Sequence, residues 1–309
     1  MKFSVSVVIP TFNGRDLLLK NLPPLLEALA RIDATSEVIV VDDASSDDSL
    51  QQLESQFPTV IVIHNKQNLG FAETMNRGIH AACHDIILAL NNDVTVEPDL
   101  LEKVLPRFND NTIFAVTPNV LDPATGRQQA IYKMRPGICW FGDASLSTPP
   151  TTGEIPLFFA SGGSSCYDRK KLRELGGFST LYAPFYVEDV DLSYHAWKRG
   201  WRCVMEPAAT VWHPVNSTIR KYHRQRKIKF LIARNKHIFM WVNITDTWLI
   251  WRYFLCLVPS LLWDILSFRK YKFVGMFMAL PRIAEVLRER ANRRPTFTQS
   301  DRSIMAKVC

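Results

Sequence analysis

The first 95 residues alternate short apolar runs with amphipathic segments, and this alternation constrains the fold more than any other feature of the chain. The apolar runs predict four strands, at residues 3–9, 37–41, 59–64 and 86–90. Apolar residues at helical spacing predict helices between them, including residues 16–30 and 70–82. Strands that alternate with helices form βαβ units. The pattern therefore predicts an α/β fold with a mostly parallel central sheet.

Polar side chains follow the fourth strand directly. The run at 86–90 ends in Asn91, Asn92 and Asp93, and open α/β sheets bind ligands at the edge where such strands end. A carboxylate flanked by amides suits a divalent cation that carries phosphate oxygens. A strand-end turn is the alternative interpretation, because Asn and Asp also favour turns.

Two carboxylates, Asp42 and Asp43, end the second strand in the same way. An acidic residue in this position can accept a hydrogen bond from a nucleotide ribose or base. Helix capping is the alternative, since acidic groups also stabilise a helix N-terminus.

A second acidic cluster lies in YVEDVDLSYHAW, where Glu188, Asp189 and Asp191 fall within four positions. Acidic residues in a first turn interact favourably with the helix dipole, which gives the cluster a structural explanation. Neighbouring carboxylates also repel one another, and that cost is usually tolerated for a ligand or for proton transfer.

Seven strings, taken together and in order, resemble the family-2 glycosyltransferases of the GT-A fold. They are VSVVIPTFNG, VVDDASSD, NLGFAETMNRG, LNNDV, the segment from ASGGSS to GGF, YVEDVDL and ATVWH. The bacterial rhamnosyltransferase-like members are the most similar. The resemblance implies a Rossmann-like GT-A catalytic domain over residues 1–217.

The resemblance also implies a mechanism and a metal. Asp189, next to Glu188, matches the catalytic base of an inverting transfer from a nucleotide sugar. Asp93 matches the last position of the family's DxD motif and, with His213, implies a site for Mg²⁺ or Mn²⁺. The motif reads Asn-Asn-Asp in this chain, so its first acidic position is missing.

Further residues are implied to contact the substrates. The donor-side residues are Pro10, Thr11, Asn13, Asp42, Asp43, Asn68, Gly70, Asn76 and Asn92. The acceptor-side candidates are Asp191 and Trp212.

The composition changes after residue 217. A basic stretch at 218–230 precedes an apolar, Trp-rich segment at 248–263, and a second apolar patch with a basic end follows. Such segments are typical of helices that lie on an anionic membrane surface. A helical hairpin buried against the catalytic domain or a dimer partner is the alternative. We expect a membrane-associated helical region over residues 218–292, no nucleic-acid binding, and a disordered tail over 293–309.

The resemblance further implies a hexosyltransferase of bacterial polysaccharide synthesis in the cell envelope. The expected donor is dTDP-rhamnose, and the expected acceptor is a saccharide on a polyprenyl diphosphate. Transfer of another hexose or N-acetylhexosamine is an alternative, and a catalytically dead membrane scaffold is a second. No signal peptide precedes the first strand, and the six scattered cysteines form no CxxC pair. We therefore expect the protein at the cytoplasmic face of the inner membrane, either peripheral or re-entrant.

Overall fold

The computed structural model describes residues 3–129, 133–135, 143–145, 155–214, 225–268 and 270–309. Within these ranges, nine strands form one sheet. They are β1 (Val5–Thr11), β2 (Ser36–Asp42), β3 (Ile61–His64), β4 (Ile86–Leu90), β5 (Thr95–Val96), β6 (Ile113–Leu121), β9 (Ile155–Pro156), β10 (Ser164–Asp168) and β11 (Arg202–Trp212). A separate pair consists of β7 (Lys133–Arg135) and β8 (Asp143–Ser145).

The sheet is mixed rather than mostly parallel. Its order is β3-β2-β1-β4-β10-β6-β11-β5, with β9 paired to β11. Strands β1 to β4 are parallel, as the βαβ pattern predicts, whereas β10 is antiparallel to both β4 and β6. The chain enters β10 from the edge where β4 ends, since the Asn91 N–H donates to Gly163 O at 2.8 Å. Among the described residues between β6 and β10, no helix brings the chain back to the opposite edge, and a parallel pairing requires such a crossover.

Helices of the first 200 residues flank this sheet. They are α1 (Arg15–Ala30), α2 (Ser49–Gln56), α3 (Phe71–Ala81), α4 (Leu100–Val104), α5 (Arg169–Glu174) and α6 (Glu188–Lys198). Every residue of β4 is buried, because helices cover both faces of the sheet there. The predicted helices at 16–30 and 70–82 are confirmed to within one residue at each end.

Five α-helices follow β11 in the part of the chain that the structure describes. They are α7 (Gln225–Asn243), α8 (Thr247–Leu266), α9 (Tyr271–Ala279), α10 (Ile283–Arg293) and α11 (Asp301–Val308). Helices α7 and α9 pack closely, since a Cβ at Gly275 would meet Ala233 Cβ at 2.6 Å. The predicted domain boundary at residue 217, and the basic stretch up to residue 224, lie outside the described residues.

The expectation of a disordered tail from residue 293 is wrong. Residues Arg294–Thr296 form a 3-10 turn, and α11 packs against α6. Its Asp301 is fully buried, as is Ile304. The tail is ordered because the Asp301 carboxylate lies 2.6 Å from the buried Lys198 ammonium, a contact too distant in sequence for any local pattern to indicate.

Much of the apolar surface of helix α8 is exposed. Trp263 is 69% exposed, Leu255 is 74% exposed, and Phe268 after the helix is 86% exposed. Among the described residues, α8 is the one helix whose length and composition would suffice to cross a membrane. Its first turns are held to the protein, because the Tyr253 hydroxyl lies 2.7 Å from His237 Nδ1 of α7.

Candidate active site

A cavity of about 400 Å³ opens at the edge where β1 and β4 end. The turn before β10 forms one wall, and the loop leading into α6 forms another. Three groups of predicted residues line it. They are the donor-side residues Pro10, Thr11, Asp43, Asn68, Gly70 and Asn92, the expected metal ligands Asp93 and His213, and the expected catalytic pair Glu188 and Asp189.

Asp93 follows β4 and His213 follows β11, and their side chains lie next to each other in this cavity. Asp93 Oδ1 lies 3.4 Å from His213 Nε2, but it is buried and makes no hydrogen bond within the described part of the chain. The other ring nitrogen of His213, Nδ1, lies 3.1 Å from Gln129 Oε1. A proton on Nδ1 can therefore donate to Gln129, which leaves the lone pair of Nε2 for a ligand.

Glu188 and Asp189 open α6 at the opposite wall. Glu188 is 8% exposed, and its Oε2 has no hydrogen-bond partner among the described residues. Burial, together with the neighbouring Asp189 charge, raises the pKa of Glu188 to about 8. Burial also raises the pKa of Asp189 above its ordinary value, although the Val190 N–H donates to Asp189 Oδ1 at 2.8 Å. The cavity thus holds two carboxyl groups that ionise less readily than in water.

The Asp43 carboxylate organises the donor-side wall. Asp43 Oδ1 accepts from the Leu69 N–H at 2.8 Å, and Oδ2 accepts from the Gly70 N–H at 2.9 Å. Asn65 Nδ2 donates to the same Oδ1 at 2.9 Å. Asp43 therefore joins the end of β2 to the start of α3, where Gly70 adopts a φ of +80°.

Asn92 and two glycines shape the floor. Asn92 Nδ2 donates to Thr11 Oγ1 at 2.9 Å. A Cβ at Gly14 would lie 2.2 Å from Asn92 Nδ2, and one at Gly163 would lie 2.3 Å from the Asn91 side chain. The cavity shape therefore depends on the absence of side chains at both glycines.

Three predicted donor-side residues lie outside the cavity lining. Asp42 is buried, and its Oδ2 lies 2.8 Å from His64 Nδ1. Asn13 Oδ1 accepts from the Ser46 N–H at 2.8 Å, so it holds the turn after β2. Asn76 exchanges two hydrogen bonds of 2.8 Å with the Phe178 backbone. These three side chains bind neighbouring protein groups and do not line the cavity.

The two acceptor-side candidates also point elsewhere. Asp191 is fully buried and lies 2.9 Å from Arg293 Nη1 of α10. It follows Asp189 by two positions, and residues two apart on a helix face nearly opposite directions. Trp212 Nε1 donates to Glu97 Oε1 at 2.5 Å, away from the cavity.

Several residues that line the cavity were not predicted as substrate contacts. They are Phe12, Phe71, Thr74, Ser161, Gly162, Gly163, Pro184, Phe185 and Tyr186, together with Asn91, which follows β4 as the sequence predicts. The small residues 161–163 reach the cavity because the antiparallel pairing of β10 brings them beside the end of β4.

Solved structures share this architecture. A mannosyltransferase from Pyrobaculum calidifontis in complex with GDP-Man and Mn²⁺ superposes with a TM-score of 0.56 at 17% identity, covering 99% of this chain and 79% of that one. GalNAc-T7 with UDP, GalNAc and Mn²⁺ gives a TM-score of 0.60 at 17% identity, covering 78% and 48%. At these identities the likeness establishes the fold, which is of the GT-A type.

Sequence relatives identify the class. A glycosyltransferase of Haemophilus influenzae is 34% identical over 108 residues, or 35% of each chain. The hyaluronan synthase of Streptococcus pyogenes is 30% identical over 124 residues, which are 37% of this chain and 29% of that one. The matches to these relatives span about a third of their length.

The fold is of the GT-A type, and the sequence relatives are glycosyltransferases. The model of glycosyl transferase family 2 matches residues 6–176, more than half of the 309 residues, and the chain belongs to that family.

Proposed function

We propose that the protein transfers a sugar from a nucleoside-diphosphate donor to a hydroxyl of a saccharide acceptor, with inversion at the anomeric carbon. The observation that carries this proposal is one cavity shared by the Glu188–Asp189 pair and the Asp93–His213 pair. A single displacement needs a base on one side of the anomeric carbon and charge stabilisation for the leaving group on the other.

Asp189 serves as the base. Its carboxylate accepts the proton of the acceptor hydroxyl while the acceptor oxygen forms a bond to the anomeric carbon. The bond from that carbon to the diphosphate oxygen breaks, and the nucleoside diphosphate leaves with the electron pair. The raised pKa of Asp189 favours this role, because a stronger base takes a proton more readily. Glu188, with a pKa of about 8, stays protonated at neutral pH and limits the negative charge beside Asp189.

The residues present fit a divalent cation. Asp93 Oδ1 is buried without a hydrogen-bond partner in the described ranges, and His213 Nε2 lies 3.4 Å from it. Two lone pairs that face each other at this distance require a proton or a cation between them, and a carboxylate with an imidazole suits Mn²⁺ or Mg²⁺. A bound cation would neutralise charge on the departing diphosphate. We propose that the diphosphate lies near Gly70 and Asn92, because both line the same cavity as this pair.

The acceptor is proposed to be a growing polysaccharide. Hyaluronan synthase among the sequence relatives and Staphylococcus aureus TarS among the structural neighbours, solved with UDP-GlcNAc, support a polymer or its precursor as substrate. The rhamnosyltransferase-like motifs make dTDP-rhamnose our first choice of donor, ahead of another hexose or N-acetylhexosamine. A polyprenyl diphosphate is proposed as the carrier of the acceptor.

The exposed face of α8 supports a membrane surface as partner. Helix α8 ends at Leu266. Nine residues later the chain is again in contact with α7, because Gly275 of α9 packs against Ala233. Nine residues are too few to recross a hydrocarbon core of about 30 Å. We therefore propose that α8 lies in the interface of the bacterial inner membrane, on its cytoplasmic side, as a peripheral or re-entrant element.

A donor panel tests the proposed function. Hydrolysis and transfer are measured with dTDP-rhamnose, UDP-GlcNAc, UDP-glucose and GDP-mannose, each with Mn²⁺, with Mg²⁺ and with chelator. We expect turnover of one donor that is lost on chelation and restored by the metal. Absence of binding and turnover for every nucleotide sugar would contradict the proposal.

A further inference from the structure

The backbone directly before Glu188 and Asp189 adopts an energetically unfavourable conformation. Tyr186 has a φ of +71° and Val187 a φ of +80°. Non-glycine residues rarely occupy this left-handed region, and a β-branched residue such as Val187 is a clear exception there. Val187 is the N-cap residue directly before α6, so this conformation sets the direction in which Glu188 and Asp189 leave the loop.

One buried side chain of α7 forms hydrogen bonds with the backbone of this loop. Asn235 of α7 is fully buried. Its Nδ2 lies 2.8 Å from Tyr182 O, 3.0 Å from Phe185 O and 2.7 Å from Tyr186 O. The amide group of Asn235 therefore binds three carbonyl groups of the loop.

The neighbouring Arg234 reinforces the contact. Its Nη2 donates to Ala183 O and, at 3.2 Å, to Tyr182 O. Its Nε donates to Asn235 Oδ1 at 2.9 Å, which orients the amide so that Nδ2 faces the carbonyls. The same loop supplies Phe185 and Tyr186 to the wall of the cavity.

We propose that Asn235 is a positioning residue for sugar transfer: it holds the strained Tyr186–Val187 backbone and thereby fixes both the cavity wall and the start of α6. This inference rests on the proposed function for its catalytic consequence, while the hold on the loop is a property of the folded chain. Strain of this kind persists only where surrounding contacts impose it, and the Asn235 amide supplies those contacts.

The direct test replaces Asn235 by Ala and follows both the loop and the reaction. Hydrogen exchange should speed up in peptides covering residues 182–190, because the carbonyls lose their common donor. The kcat should fall about 100-fold, the loss that a misplacement of about 1 Å can cause. The KM for the donor should rise as well, since the loop lines the cavity. Ile238→Ala, a fully buried change on the same helix, is the matched control; it lowers stability but should leave the donor KM and the exchange of 182–190 unchanged.

A second variant separates positioning from loss of fold. Glycine adopts positive φ without strain, so Val187→Gly should reduce the dependence of the loop on Asn235. The fold-loss in kcat/KM caused by Asn235→Ala should be clearly smaller in the Val187→Gly background than in the natural chain. Should Asn235→Ala not fold, Asn235→Ser in both backgrounds supplies the same comparison.

The outcomes are distinguishable from a failure of the proposed function. The positioning role would be overturned if hydrogen exchange in residues 182–190 is the same in Asn235→Ala as in the natural chain. It would also be overturned if Asn235→Ala causes the same loss of activity in the natural chain and in the Val187→Gly background. If no nucleotide sugar of the panel is turned over by the natural chain, the proposed reaction fails, and so does the positioning role in transfer. Exchange still decides whether Asn235 holds the loop.

Discussion

Asp191 and Arg293 stand 102 residues apart in the chain and form a buried ion pair, with Arg293 Nη1 2.9 Å from Asp191 Oδ2. Tyr182 Oη donates to Asp191 Oδ1 at 2.7 Å, and Asn243 Nδ2 donates to the same oxygen at 2.6 Å. Asp191 lies one helical half-turn beyond Asp189. The carboxyl-terminal helices are therefore joined through Arg293 to the helix that carries the proposed base.

Removal of Arg293 should be strongly destabilising. Arg293→Met leaves the Asp191 charge buried without its partner, and the free energy of unfolding should fall by about 3–5 kcal/mol. Urea unfolding measures this change. Asp191→Asn in the Arg293→Met background should recover part of the loss, because no buried charge then remains. Arg31→Ala, which breaks an exposed pair with Glu102, serves as the control and should have no measurable effect. A similar stability for Arg293→Met and Arg31→Ala would contradict the structural role.

Stability should fall as the pH rises from 6.5 to 8, with Glu188 as the cause. Its folded-state pKa of about 8 exceeds the ordinary value of 4.5, so the folded protein holds a proton that the unfolded chain has lost. The contribution over this interval is about 2 kcal/mol, from about 1.4 kcal/mol per pH unit. Urea unfolding at pH 6.5 and 8 measures it, and Glu188→Gln should reduce the slope. The buried His195 and His237, whose pKa values are lowered by burial to about 3 and about 4, act in the opposite direction up to about pH 7.5, so the comparison with Glu188→Gln isolates the Glu188 contribution. An equal slope in Glu188→Gln would assign the effect to another group.

Gly163→Ala should damage the donor cavity with little loss of stability. The added methyl group would meet the Asn91 side chain at 2.3 Å and displace it toward the cavity. We expect donor affinity to fall about tenfold or more, as measured by calorimetric titration. Gly126→Ala is the control, since a Cβ there meets nothing within 4 Å and only its φ of +65° is strained. Unchanged donor affinity in Gly163→Ala would show that the Asn91 region does not contact the donor.

Membrane binding should depend on the apolar face of α8. Leu255→Glu combined with Trp263→Glu places two charges on its most exposed part and should abolish co-flotation with vesicles of phosphatidylglycerol and phosphatidylethanolamine. Ile61→Glu, an exposed apolar position on the edge strand β3, is the matched control and should float like the natural chain. Flotation of the double variant at the natural level would remove α8 from the proposed interface.

The strand-end residues were predictable because their positions follow from the topology of parallel strands alone. Asp93 follows β4 and Asp43 follows β2, and parallel strands end at one edge whatever the side-chain details. His213 and Asp189 required the family resemblance, since β11 and α6 reach this edge through the antiparallel β10 and long connections.

The features that the sequence did not indicate depend on side-chain direction and on contacts between distant residues. Asp191 and Asp189 share a motif but face different ways on α6, so only one of them lines the cavity. Asn76 lies in a string of the right family but bonds to Phe178, 102 residues away. Asn235 and Asp301 act through partners about 50 and 100 residues distant. No local periodicity carries that information.

The most direct measurement compares sugar transfer with donor binding in Asp189→Asn. The substitution keeps the shape of the side chain and removes the carboxylate that takes the acceptor proton. We predict that kcat falls by about 10²–10⁴, the usual contribution of a positioned base, while the dissociation constant of the donor, measured by calorimetric titration with metal present, stays within a factor of about 3. Retained transfer, or a loss of donor affinity as large as the loss of rate, would contradict Asp189 as the base.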